Sequence, residues 1–133
     1  MAIHKTSAAL RIFGPNLDFG RITRELGTLP THTHRAGDLN RLGRPFEHDM
    51  WSLDSRLGQQ ASLDEHLKWL HQTLSPHYEF LRSMKHVAAV DVFLSYLSAE
   101  DQAGFEISPE AFRIFSELGI PFGVSAILGL GED

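Results

Sequence analysis

Val87-Ala88-Ala89-Val90-Asp91-Val92-Phe93-Leu94-Ser95-Tyr96-Leu97 is the longest apolar run in the chain, and the fold turns on it. Val90, Val92, Leu94 and Tyr96 alternate with Asp91, Phe93 and Ser95. That two-residue period is the mark of a strand, and the length of the run predicts the central strand of a sheet. Downstream, Ala99-Glu100-Asp101-Gln102-Ala103-Gly104 predicts a turn, with Phe105-Glu106-Ile107 as the returning strand of a hairpin. Ser108-Pro109-Glu110 then opens a helix carrying Phe112, Phe115 and Leu118, which stops at Gly119. Gly123 to Leu128 makes a last strand.

Upstream of the run lies a helix expected from about residue 63 to 86. Ser62 and Glu65 form a capping box, Leu63, Leu67, Leu70 and Leu74 share a face, and Pro76 bends or breaks it. Met50 to Ser55 reads as a short strand, with Trp51 and Leu53 on the core face. Ala8 to Gly14 reads as another. Asp18 is placed to cap a short helix, which Gly27 ends in the left-handed conformation.

These elements predict an α+β fold: one mixed, mostly antiparallel sheet of about five strands with helices on one face, loosely ferredoxin-like. Residues 1–133 suit a single domain. Arg11, Phe13, Phe93 and Glu106 then fall on the uncovered face, where two phenylalanines invite a partner or a homodimer. Without cysteines there are no disulfides and no thiolate metal sites, and a reducing compartment is allowed. No run of about 18 apolar residues can span a membrane. Met1 to Ser7 is too short and too polar for a signal peptide, so a soluble, cytoplasmic protein is expected. The net charge of −5 argues against nucleic-acid binding through the overall field. The charge is unevenly placed, because most arginines lie before residue 57 and most acids after it.

Arg21-Ile22-Thr23-Arg24-Glu25-Leu26-Gly27 matches Arg113-Ile114-Phe115-Ser116-Glu117-Leu118-Gly119 at Arg, Ile, Glu, Leu and Gly. Either a strand–helix unit has been duplicated about a pseudo-twofold axis, or two short glycine-capped helices have converged.

Leu10-Arg11-Ile12-Phe13-Gly14, Ile22 through Leu26-Gly27, Pro30-Thr31 with Gly37-Asp38 downstream, Trp51-Ser52-Leu53, the leucine-rich helix from Ser62 and Leu118-Gly119 together resemble the bacterial family known as domain of unknown function 4279. The resemblance covers nearly the whole chain. It implies a small stand-alone α+β domain in bacteria and carries over no catalytic residue. Where such families accompany toxin systems, it leaves room for an immunity role.

The candidate site is the segment from Thr31 to Asp49, which has no apolar periodicity. A loop of that length in a compact domain is usually functional or disordered. It holds His32, His34 and His48, together with Arg35, Arg41 and Arg44. Arginine's planar fork suits carboxylates and phosphates, and Gly37 and Gly43 allow close backbone approach. His32, His34, Arg35, Asp38, Arg41 and Arg44 are therefore the ligand-binding candidates, for a small anionic ligand or a protein partner. The bland alternative pairs these arginines with Asp38, Glu47, Asp49 or the acidic second half.

His32 and His34, two apart in an extended segment, point the same way, and with His48 they can hold zinc, although no HExxH helix is present. His66, His71, His77 and His86 on the long helix read as surface or capping residues. No GxxxxGK[ST], GxGxxG or GxSxG motif supports a nucleotide site or a hydrolytic serine, and no cofactor is expected. A non-enzymatic binding or interaction module using residues 31–49 and the open sheet face is the leading expectation. A metal-dependent or histidine-based enzyme centred on His32, His34 and His48 is the alternative.

Overall fold

The structure, a computed structural model, describes residues 4–129. Strand β1 (His4–Gly14) is followed by helix α1 (Phe19–Leu26), strands β2 (His32–His34) and β3 (Asp49–Asp54), and helix α2 (Leu63–Leu74). A 3-10 turn (Ser75–His77) joins α2 to α3 (Tyr78–Met84), and β4 (Ala89–Ser98), α4 (Arg113–Leu118) and β5 (Phe122–Ile127) complete the chain. The sheet order is β2-β3-β1-β4-β5. All neighbours are antiparallel except β4 and β5, which run parallel.

This order explains the ferredoxin likeness. The unit β1-α1-β2 crosses over β3, and the unit from β3 through α2 and α3 to β4 crosses over β1. That is the split βαβ arrangement, and β5 is added at one edge. The fold's own internal symmetry therefore relates α1 to α2 and α3. The Arg-Ile-Glu-Leu-Gly match instead links α1 to α4, whose crossover joins adjacent strands. The two copies sit in unlike units, so they share a helix-ending device and not a pseudo-twofold. Both Gly27 and Gly119 are left-handed, at φ 66° and 63°.

Two expectations need correction. The middle of the sheet is β1, not β4, because β1 is paired along its length with β4 on one side and with β3 on the other. Phe105-Glu106-Ile107 is not a strand. Both edges of β4 are already taken, by β1 and β5, so no place remains for a hairpin partner. This segment packs by side chains instead, with Phe105 tilted against Tyr96 at 5.5 Å and the Tyr96 hydroxyl donating to the Gly104 carbonyl at 3.2 Å. Glu106 consequently does not belong to the open face. The long helix is broken at Pro76, as expected: the missing N–H ends the ladder at Leu74, and α3 restarts at Tyr78.

The caps form as the residue types dictate. The Asp18 carboxylate accepts the Arg21 amide at 3.0 Å, and the Ser62–Glu65 box closes with two bonds of 3.1 Å. Helix α2 lies against β1. One core gathers Leu10 and Ile12 of β1, Trp51 and Leu53 of β3, Leu67 and Leu70 of α2, Val92 and Leu94 of β4, and Ile114 of α4. Trp51 is fully buried, and its indole N–H donates to Thr23 Oγ1 at 3.1 Å.

Candidate functional site

Asp49, the first residue of β3, anchors the site. Its buried carboxylate accepts the Leu17 amide at 3.0 Å, the Ala36 amide at 2.9 Å and the Arg35 guanidinium at 2.7 Å. These donors, the Ala36 amide first and the hydrogen bond from Arg35 next, hold its carboxyl below the ordinary carboxylate range. Arg35 also donates to the Leu17 carbonyl at 2.7 Å and lies over the Phe19 ring at 3.8 Å. The two residues thus tie the loop after β1 to the loop after β2, and Arg35 is committed within the fold.

The segment expected to be an irregular loop is ordered. His32 to His34 form the edge strand β2. Asp38 Oδ2 accepts the Arg35 amide at 2.8 Å, closing a turn in which Gly37 takes a φ of 94°. From Gly37 to Phe46 the chain then folds on itself. Gly37 donates to the Phe46 carbonyl at 2.9 Å, Phe46 to that of Asp38 at 2.8 Å and Asn40 to that of Arg44 at 2.8 Å. The Asn40 side chain accepts from the Leu42 and Arg44 amides at 2.8 and 3.1 Å. The result is a small hairpin with Arg41-Leu42-Gly43 at its tip. Leu39 and Leu42 are 68% and 81% exposed. Arg41 and Arg44 are exposed and form no ion pair among the described residues.

His32 pairs with Ser52 and His34 with Met50 in the register of β2 and β3, so both imidazoles lie on the open face of the sheet. They approach to 3.3 Å between His32 Nε2 and His34 Nδ1. His34 stacks on Phe46, with centroids 3.5 Å apart and rings within 5° of parallel. Burial, then the neighbouring His32, pushes the His34 pKa down. His48 stands beyond, its centroid 6.4 Å from Phe13. Among the described residues no group of three or more His, Asp or Glu side chains converges to hold a metal, so His32, His34 and His48 are not brought together as a three-ligand set.

Phe13, His34, Phe46, His48 and Met50, with Arg11 and Glu47 at the rim, line an open cleft of about 360 Å³ where the hairpin base meets the sheet. Arg11 reaches Asp91 through two bonds of 2.8 and 2.6 Å. The Asp91 carboxylate raises the Arg11 pKa. The same guanidinium lies 4.6 Å from the Phe93 centroid and 5.5 Å from that of Phe13. The two phenylalanines of the open face are therefore half-covered by a paired arginine.

Two helix histidines are buried, against expectation. His66 Nδ1 lies 2.8 Å from Ser55 Oγ, and its other nitrogen has no partner among the described residues. Burial lowers its pKa, and among the described residues no carboxylate hydrogen-bonds the ring to complete a hydrolytic set. His71 Nδ1 lies 2.6 Å from the Tyr78 hydroxyl and 3.6 Å from Glu117, and burial raises the Tyr78 pKa. Their placement was legible: 66 is three residues after Leu63 and 71 is four after Leu67, on the leucine face. Phe46 and Met50 carried no such signal, since their neighbours in the cleft come from β1 and β2.

Strand order and crossovers define a ferredoxin-like α+β domain with a fifth strand. Over residues 4–128 the chain matches the family model described as Domain of unknown function (DUF4279), and it belongs to that family. No curated protein and no solved structure matches it. Among the described residues no helix is long and apolar enough to cross a membrane.

Proposed function

We propose that this chain is a non-enzymatic binding module. Its contact surface is the hairpin from Gly37 to Phe46 with the adjoining open sheet face. Its partner is a protein surface that offers an apolar pocket bordered by acids. The carrying observation is the pair Leu39 and Leu42, 68% and 81% exposed on a hydrogen-bonded hairpin, with the arginines 41 and 44 beside them.

Apolar anchors flanked by arginine are the composition of interface hot spots, and an element already folded loses little conformational freedom on docking. The basic tip stands out in a chain of net charge −5 and is complementary to an acidic surface, while the overall negative field disfavours nucleic acid. His32 and His34 border the contact surface, while Arg35 and Asp38 shape its base. The reading takes residues 1–133 as one domain acting in the cytoplasm.

A photo-cross-linking residue placed at position 42 tests it. The captured partner is purified, and its affinity is measured against wild type and a Leu42→Ser, Arg41→Ala variant. The reading expects at least a tenfold loss and an affinity that falls with salt. Unchanged affinity in the variant overturns it.

A further inference from the structure

The sheet has two unlike edges. Strand β2 is three residues of His-Thr-His, and the chain leaving it folds into the hairpin. Strand β5 is longer, and its sequence Phe122-Gly123-Val124-Ser125-Ala126-Ile127 holds no charge and no proline. From Leu118 to Gly131 no side chain is charged, the longest such run in the chain. Among the described residues no strand pairs with the outer edge of β5. Phe122, Val124, Ile127 and Leu128 are between 41% and 48% exposed. Soluble proteins blunt free edges with charges, prolines or short strands, and β5 has none of these.

We infer that β5 is the pairing edge of a homodimer, in which two copies join strand to strand, antiparallel, with Ser125 facing Ser125 across a twofold axis. A twofold perpendicular to the sheet keeps each residue on its own face, so each side chain of one strand opposes a residue of matching parity in the other. Centred on Ser125, Val124 meets the partner's Ala126, Gly123 meets the partner's Ile127 and Phe122 meets the partner's Leu128. The sizes are complementary. Gly123 carries no side chain, and a Cβ there would press on the Phe93 ring at 3.3 Å. The partner's Ile127 lies over this bare position, beside the Phe93 ring on the open face. On the helix side, Phe122 already touches Phe112 and Phe115, with centroids 6.3 and 5.0 Å away, and the pairing extends this cluster across the axis. Each subunit carries a net charge of −5, and a charge-free edge is where two such chains meet with least repulsion.

Sedimentation of the full chain at high micromolar concentration tests the inference, with two variants. Wild type is expected at twice the monomer mass of 14.9 kDa. Val124→Lys changes an exposed position and is expected to be monomeric with an unchanged circular dichroism spectrum. Ser125→Cys, in a chain that has no cysteine, is expected to form a covalent dimer under mild oxidation, because facing residues of an antiparallel pair lie within disulfide reach. A monomeric wild type overturns the inference. So does a dimer that survives Val124→Lys, or a dimeric Ser125→Cys protein that does not cross-link.

Discussion

Arg35 and Asp49 stand fourteen residues apart and meet at 2.7 Å, clamping the two ends of the segment that carries the exposed hairpin. A cation before the hairpin and a buried anion after it hold its base, so the tip can project without fraying. The arginines of this segment therefore divide into one that builds and two that face solvent.

That division is measurable. Arg35→Ala removes bonds to Asp49 and Leu17 and the contact with Phe19, and is expected to cost about 1–2 kcal/mol. Arg41→Ala with Arg44→Ala is expected to stay within about 0.5 kcal/mol of wild type, as exposed positions do. Urea melts of the three proteins decide it, and equal losses in both variants would refute the division.

Acid should act through Asp49. Its folded pKa lies below the ordinary 3.8, so the folded state binds the proton less readily than the unfolded chain. The resulting stability is fully present above the unfolded value and disappears as pH falls through the folded one. Asp64 and Glu65, also held low by backbone amides, act in the same direction. Asp54, raised by burial, acts in the opposite one. Melting temperature followed below pH 5 should fall for wild type and fall less steeply for Asp49→Asn. An unchanged slope in the variant would show that Asp49 titrates normally.

His66 gives a second pH dependence, nearer neutrality. Burial holds its folded pKa below the ordinary 6.5, so the unfolded chain binds the proton first. Stability is then present above that value and declines as pH drops below it. His34, also lowered, shifts stability in the same direction. In His34→Gln the decline below pH 7 should persist, and the His66 ring resonances should titrate below the ordinary 6.5. A His66 that protonates near 6.5 in the folded protein contradicts this.

Trp51→Ala should cost about 3–5 kcal/mol, because it empties a fully buried site in the core. Tryptophan fluorescence and a denaturant melt report it together. A loss below about 1 kcal/mol, the size of an ordinary single change, would place Trp51 outside the core.

What sequence alone determined here is local. Asp18, the Ser62–Glu65 box and the glycines 27 and 119 end helices through bonds that span only a few residues. The alternation in β1, β3 and β4 names their buried faces before any neighbour is known, and the leucine period of α2 already encodes the burial of His66 and His71. Tertiary structure decided which edges are occupied. Whether Phe105-Glu106-Ile107 pairs depends on β5 having taken the second edge of β4, and no residue near 105 records that. Arg35 reads as a free cation until Asp49 and Leu17 are folded against it. The cleft lined by Phe13, Phe46 and Met50 exists only where three strands and a hairpin meet. Caps and periodicities are set by neighbours along the chain, whereas edge occupancy and charge pairing are competitions among groups that only folding brings within a few ångströms.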